Sequence, residues 1–216
     1  RRTLTDGLPT VGIRLVSATA NPHKLDEIRQ ILGDAAVVVP RPEGLAEVVE
    51  DADTLEGNAE LKVAAVVEAT GQAAIADDTG LEVDSLGGAP GVRSARFAGD
   101  DADDDANVAK LLADLAAAGA HSPSSRRARF RTVVIVGWPD GRRIIGRGVV
   151  EGSIATHRRG TGGFGYDPVF VPDEGDGRTF AEMSANDKHA LSHRGRALHA
   201  VDAQFADGDR PVLGES

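Results

Sequence analysis

The chain has 216 residues, is 41% hydrophobic, and carries 24 basic against 34 acidic side chains for a formal charge of −10. It contains no cysteine, which excludes disulfide scaffolds, thiolate zinc sites and a cysteine nucleophile. No apolar run approaches the ~18 residues of a membrane span, no signal-peptide pattern opens the chain, and the acidic balance opposes a polyanion, so the expectation is a cytoplasmic protein with no membrane or nucleic-acid partner.

The elements read as follows in chain order. Gly12 to Ser17 has strand character and breaks at Thr19-Ala20-Asn21-Pro22 into a helix with Leu25, Ile28, Ile31 and Leu32 on one face. Val37 to Val39 form a short strand that Pro40 stops. Thr54 caps a second helix, in which Leu61, Ala64, Ala65 and Glu68 recur at helical spacing. Ala73 to Ala76 and Leu81 to Leu86 are strand material around a polar turn, and Asp105 caps a third helix through Leu111, Leu112 and Leu115. Strands near 128–137 and 142–151 follow, joined by an Asp140-Gly141 turn, and a last helix carries Ala197, Leu198, Val201 and Phe205. Interleaved helices and strands with one hairpin predict an α/β fold with a mixed sheet. The length fits one domain of two lobes over 11–205, with loose ends at 1–10 and 206–216.

Two charge runs have ordinary readings. Arg126, Arg127, Arg129 and Arg131 alternate with Ala128 and Phe130, as on the wet face of a strand. The five aspartates between Asp100 and Asp105 lack the Gly and Glu of a calcium loop, and read as solvated acids before a helix N-terminus.

Four clusters could carry chemistry. Thr19 to Lys24 is a strand-to-helix turn whose amides and lysine suit phosphate; it also reads as a capped helix with an exposed lysine. Glu50 and Asp51 precede a helix, and Asp77-Asp78-Thr79-Gly80 ends an apolar strand. Paired acids there suit Mg²⁺, and equally suit a plain turn. Gly160 to Pro168 with Phe170 gathers three of the eight aromatics in a glycine-rich loop, which can cap a core or stack on a nucleobase. Lys188 with Ser192-His193-Arg194 stands at the mouth of the last helix and by itself reads as an exposed basic helix start; His189 and His193 are four apart, but Ala190 replaces the glutamate of a zinc protease.

Taken together these clusters resemble the inosine/xanthosine triphosphate pyrophosphatases. The similarity rests on Thr19-x-Asn21-x-x-Lys24, Glu50-x-x-x-Thr54-x-x-x-Asn58-Ala59, Ala76-Asp-Asp-Thr-Gly-Leu81, Pro90-Gly91-Val92-x-Ser94-Ala95-Arg96, Gly163-Phe-Gly-Tyr-Asp-Pro-Val-Phe170 and Lys188-x-x-x-Ser192-His-Arg194, in order over about residues 14–199. Leu55 stands where the family usually has an aromatic, and Thr79 where serine is commoner.

The resemblance implies Mg²⁺-dependent conversion of ITP, dITP and XTP to monophosphate and pyrophosphate. The fold it implies is an elongated two-lobed sheet with a central cleft, usually in a homodimer. By resemblance, Thr19, Asn21 and Lys24 cradle the triphosphate with Lys62 as a second cation, and Glu50, Asp77 and Asp78 lie at the metal, Asp78 accepting the proton. Phe164 stacks on the base; Asp167, Lys188, His193 and Arg194 read its edge or sugar, with Thr79, Gly165 and Tyr166 also at the substrate. Two rival readings are a non-catalytic nucleotide-binding module and a pyrophosphatase for modified pyrimidine triphosphates.

Overall fold

The computed structural model describes residues 12–206, so the expected loose start and all but the first residue of the expected loose end lie outside the described residues. Residue 206 ends a helix instead. The strands are β1 (Ile13–Ser17), β2 (Ala36–Val39), β3 (Ala74–Val83), β4 (Pro90–Gly91), β5 (Arg127–Gly137), β6 (Arg143–Ile154) and β7 (Phe170–Pro172). The helices are α1 (Pro22–Leu32), α2 (Leu55–Thr70), α3 (Asp104–Ala117), α4 (Ala185–Leu191) and α5 (His193–Ala206). One seven-stranded sheet runs β2-β1-β3-β5-β6-β7, with β4 paired beside β3. β1 is parallel to β2 and β3, and the remaining pairs are antiparallel, which makes the mixed sheet expected.

The local chemistry that starts each helix is visible. Asn21 accepts hydrogen bonds from the amides of His23 and Lys24, and Pro22 occupies the first helical position, where no N–H is needed. Thr54 accepts from the Gly57 amide, a cap worth about 1 kcal/mol. The third helix is capped two residues earlier than expected: Asp103, not Asp105, accepts from the Ala106 amide. The inward stripe of α2 is Asn58, Ala59, Val63 and Val66, while Leu61 and Glu68 face outward; the expected stripe was offset by part of a turn.

The largest departure is β3. Asp77 to Gly80, expected as a polar turn between two strands, lies inside one ten-residue strand paired with β5 from Ala74↔Gly137 to Val83↔Ala128. Long-range pairing overrides the turn preference of Asp and Gly. The strand stops at Val83, and Asp84 to Leu86 form a 3-10 turn where strand had been expected.

Side chains alternate across β3 and divide the interior. On one face Ile75 joins Val134, Val136, Leu198 and Val201 in a core under α1 and α5. Further along that face, Leu81, Phe130, Val150 and Phe170 form a second core with α3. Asp77 and Thr79 come between them, so a polar belt separates two apolar cores. The opposite face packs Ala74, Ala76, Val133 and Ile135 against α2.

α5 lies very close to the sheet. A Cβ added at Gly146 or Gly148 of β6 would come within 2.1 Å of the Ala197 carbonyl oxygen or 1.9 Å of that of His193. Only bare backbone at both positions admits the helix.

Arg126 corrects another expectation. It precedes β5, is buried, and donates to the carbonyls of Ile154, Ala120 and Ala155, which ties the start of β5 to the ends of β6 and of the segment after α3. Arg127, Arg129 and Arg131 do lie on a wet face, paired with Glu82, Asp84, Glu151 and Asp173.

Candidate active site

β1 pairs with β3 only as far as Ser17↔Ile75, and β4 rejoins β3 only at Leu81 and Glu82. The intervening edge, Ala76 to Gly80, therefore opens beside the carboxyl end of β1, a place where open α/β sheets bind ligands. Adjacent residues of that edge serve opposite faces. Asp78 turns toward α2, where it accepts from Asn58 Nδ2 at 3.2 Å and from Lys62 Nζ at 3.1 Å. Lys62 also reaches Glu50 at 3.3 Å, so Glu50 and Asp78 converge on one positive charge. Burial pushes the Asp78 carboxyl up, Lys62 opposes this, and nearby Glu50 adds to the rise. Burial pulls the Lys62 ammonium down, but Asp78, Asp77 and Glu50 outweigh it and leave its pKa raised.

Asp77 turns toward α1 and α5, meeting Lys24 Nζ at 3.3 Å and Arg194 Nη2 at 3.1 Å. Burial pushes its carboxyl up, yet Lys24, Arg194 and Lys62 prevail and hold it well below the usual range. From there charges alternate through the interior. Arg194 Nη1 donates to Glu27 Oε2, Glu27 Oε1 accepts from Lys188 at 2.8 Å, and Lys188 reaches Asp167 at 2.8 Å. Asp167 in turn accepts from the Phe164 amide at 2.9 Å. Three cations and three carboxylates thus link the Lys24 turn to the Phe164 loop, each charge partnered as burial demands.

This chain floors a cavity of about 130 Å³ lined by Phe164, Tyr166, Asp167, Lys188, His193 and Arg194 among others. Lys188 Nζ sits 4.7 Å and the Arg194 guanidinium 5.4 Å from the Phe164 ring centroid. His193 stacks on Phe130 at 4.4 Å, and burial, then Arg194 and Lys188, depress its pKa so that the imidazole is neutral. Its Nδ1 is buried without a partner. Tyr166 is largely a wall: its hydroxyl donates to the Ser94 carbonyl, and burial and Asp104 push its phenol up. Gly165 donates its amide to Asp104 on α3. A second cavity of about 300 Å³ is lined by Thr19, Lys24, Arg41, Glu50, Lys62 and Asp77 among others. The two share Asn21, Lys24 and Ala95 and form one cleft.

The structure brings the four predicted clusters to this cleft. Lys188, His193 and Arg194 are only 6%, 4% and 2% exposed, so the last helix does not open on a solvated basic patch. Lys24 is an ion-pair partner, not a free surface lysine. The aromatics of the glycine-rich loop divide: Phe164 lines the cavity, whereas Phe170 belongs to the second core.

The amide cradle expected at the Thr19 turn is filled from within. Thr19 N–H donates to Ser17 Oγ, Asn21 N–H to Thr19 Oγ1, and the His23 and Lys24 amides to Asn21 Oδ1. The Thr19 and Asn21 side chains thus satisfy the backbone of this turn while still lining the cleft. Glu27 was missed, although it lies one helical turn beyond Lys24 on the same face of α1. Asn58 lay inside a quoted motif without a role; its Oδ1 accepts from the Ala52 amide while its Nδ2 donates to Asp78. Asp104, inside the acid run read as solvated, reaches the loop.

Among the described residues no group of three or more His, Asp or Glu side chains is gathered as a metal cage. A hard cation that keeps most of its waters needs no such cage. Glu50 and Asp78, which already converge on the Lys62 ammonium, and the unpartnered Asp77 Oδ1 are oxygen donors that fit one.

Comparison with known proteins decides the family. The Ham1 family matches residues 15–204. This chain belongs to the Ham1 family. Ham1-family relatives include a dITP/XTP pyrophosphatase of Porphyromonas gingivalis, 49% identical over 187 residues that span 86% of this chain and 93% of that protein. Another is the dITP/XTP pyrophosphatase of Deinococcus deserti, 44% identical over 96% of this chain and 97% of that protein. Among solved structures, the Ham1 protein of Coxiella burnetii superposes with a TM-score of 0.81 at 36% identity, covering 91% of this chain and 100% of that one. The Staphylococcus aureus Ham1 protein gives 0.78 at 37% identity with the same coverage. The mixed sheet and the resemblance read from the motifs both agree with these matches.

Proposed function

We propose that this chain is a Mg²⁺-dependent pyrophosphatase that converts ITP, dITP and XTP to the monophosphate and pyrophosphate. The observation that carries the reading is the single cleft with a charged end at Glu50, Lys62 and Asp78 and an aromatic end at Phe164, joined at Lys24. The relatives named as dITP/XTP pyrophosphatases support it.

The chain's own residues divide the work. Lys24 and Lys62 hold the phosphates, and Asn58 and Lys62 fix the orientation of the Asp78 carboxylate. Its raised pKa suits Asp78 to take a proton from the attacking water as the bond from the α-phosphorus to the pyrophosphate oxygen breaks. Glu50 and Asp78, with Asp77 nearby, would hold Mg²⁺, which when bound would supply charge neutralisation at the phosphates.

At the base end, unused donors and acceptors decide. Of the five N–H bonds of Arg194, four go to Asp77, Glu27 and Thr79, leaving one on Nη1. Lys188 gives two of its three to Glu27 and Asp167, leaving one. Two donors therefore remain beside the Phe164 ring, with His193 Nδ1 also unpaired. They match the acceptor at the 6-oxo position of hypoxanthine or xanthine, whereas the 6-amino group of adenine sets donors against donors. Thr79, Gly165, Tyr166 and Asp167 shape this end.

Product analysis tests the reading. ITP with Mg²⁺ should yield IMP and pyrophosphate, with turnover lost on chelation; IDP and orthophosphate as products would overturn it. Tight ITP binding without turnover would instead make the chain a binding module. A homodimer in the cytoplasm, implied by the resemblance, belongs to the same proposal, and light scattering on the purified protein tests the dimer.

A further inference from the structure

Arg41 follows β2 and stands between Pro40 and Pro42, whose rings restrict the backbone on both sides of it. Its Nη2 donates to the carbonyls of Leu45, at 2.7 Å, and Ala46, which fold the following loop around the guanidinium. Among the described residues those bonds leave Nε and Nη1 without a partner, and no carboxylate lies within ion-pair distance of Arg41. The side chain lines the charged end of the cleft and also an adjoining recess of about 320 Å³ that includes Thr19, Asn21 and Pro42.

The other cations there are already engaged: Lys24 by Asp77, and Lys62 by Asp78 and Glu50. Most amides of the Thr19 turn are engaged as well. Glu47 and Glu50 add negative charge to the same wall. Lys24 and Lys62 keep spare N–H bonds for a triphosphate, but Arg41 is the cation at this end that no carboxylate neutralises among the described residues. Arginine's planar fork suits phosphate oxygens, and the proline-flanked loop positions it beforehand.

We propose that Arg41 binds the terminal phosphate of the substrate and so favours triphosphates over diphosphates. This rests on the pyrophosphatase reading above. The recess beside Arg41 gives the chain beyond the two lysines room for the outermost phosphate and for departing pyrophosphate.

The test compares wild type, Arg41→Gln and Arg41→Lys in ITP hydrolysis, in inhibition by inorganic pyrophosphate, IDP and IMP, and in pyrophosphate binding by calorimetry. Arg41→Gln should lower kcat/KM for ITP about tenfold or more and weaken pyrophosphate inhibition by a similar factor, while inhibition by IDP and IMP stays within about twofold. Arg41→Lys should recover part of the loss, because charge is kept and the fork is not. Unchanged pyrophosphate affinity in folded Arg41→Gln overturns the proposal. So does an equal loss for IDP and ITP, which would place Arg41 in loop architecture alone. If wild type fails to hydrolyse ITP, the pyrophosphatase reading falls, and calorimetry with pyrophosphate still decides whether Arg41 holds phosphate.

Discussion

Asp77 and Asp78 are adjacent in the chain and face opposite sides of β3. Asp77 answers to Lys24 and Arg194, and Asp78 to Lys62 and Asn58. The alternation of a strand separates two like charges that would otherwise repel, and it gives each its own cations. One carboxylate is driven toward permanent ionisation, and the other is left with a raised affinity for protons. The same dipeptide thus supplies an anchor for a charge network and a group that can accept a proton.

That division predicts different fates for the two acids. Asp78→Asn should lower kcat for ITP at least about a hundredfold, the usual scale for losing a general base. The far-UV circular dichroism should match wild type, since Lys62 keeps Glu50 as a partner. Near-normal turnover by the folded variant would remove Asp78 from the chemistry.

Glu27 lies between Lys188 and Arg194, and opposing charges outweigh burial in lowering its pKa. Glu27→Gln keeps the shape and strands two buried cations with one acid each. The expected cost is about 3 kcal/mol in urea unfolding, toward the lower end for a broken buried pair because Asp167 and Asp77 remain. A loss below about 1 kcal/mol would mean that the network is solvated in solution.

His193 sets a pH dependence whose sign is definite. Its folded pKa lies well below 6.5, so the unfolded chain takes up a proton first as pH falls. The stability tied to neutral His193 is complete above pH 6.5 and declines below it, down to the folded value. Asp78 and Asp167, both raised, act in the opposite sense over the same acidic range. Comparing wild type with His193→Phe, which keeps a ring against Phe130, isolates the histidine. The difference between their unfolding free energies should change by up to about 1.4 kcal/mol per pH unit below the histidine range. Parallel curves would show that the imidazole titrates freely.

Arg126 gives a prediction away from the cleft. Arg126→Met leaves the carbonyls of Ala120, Ile154 and Ala155 without their donor. Urea unfolding should show a loss of at least about 3 kcal/mol, because unsatisfied buried acceptors are expensive. KM for ITP should barely move in the fraction that remains folded. A mild loss accompanied by a large KM change would connect this arginine to the site.

Much of this arrangement was legible locally. Pro22, Thr54 and the Asp140-Gly141 turn act through neighbours a few residues away, and the structure follows them. The run Asp77 to Gly80 misled because its local chemistry favours a turn. What keeps it extended is pairing with β5 and cations from α1, α2 and α5. Arg126 misled for a related reason: its alternation with Phe130 suggested a wet face, while the carbonyls it holds come partly from residues almost thirty positions away. Glu27 could have been found from its spacing to Lys24, but its two partners lie more than 160 residues downstream. The motif residues were legible as a set, and their partners in space were not.

Gly146 and Gly148 line neither cavity of the cleft, yet they govern what a base can meet. The start of α5 bears His193 and Arg194 and rests directly on the backbone of β6 at these two positions. A single methyl there would lift the helix outward and carry both side chains with it. How deep a base can sit, and whether the spare N–H of Arg194 arrives within reach of it, is therefore gauged by the thickness of a bare polypeptide strand.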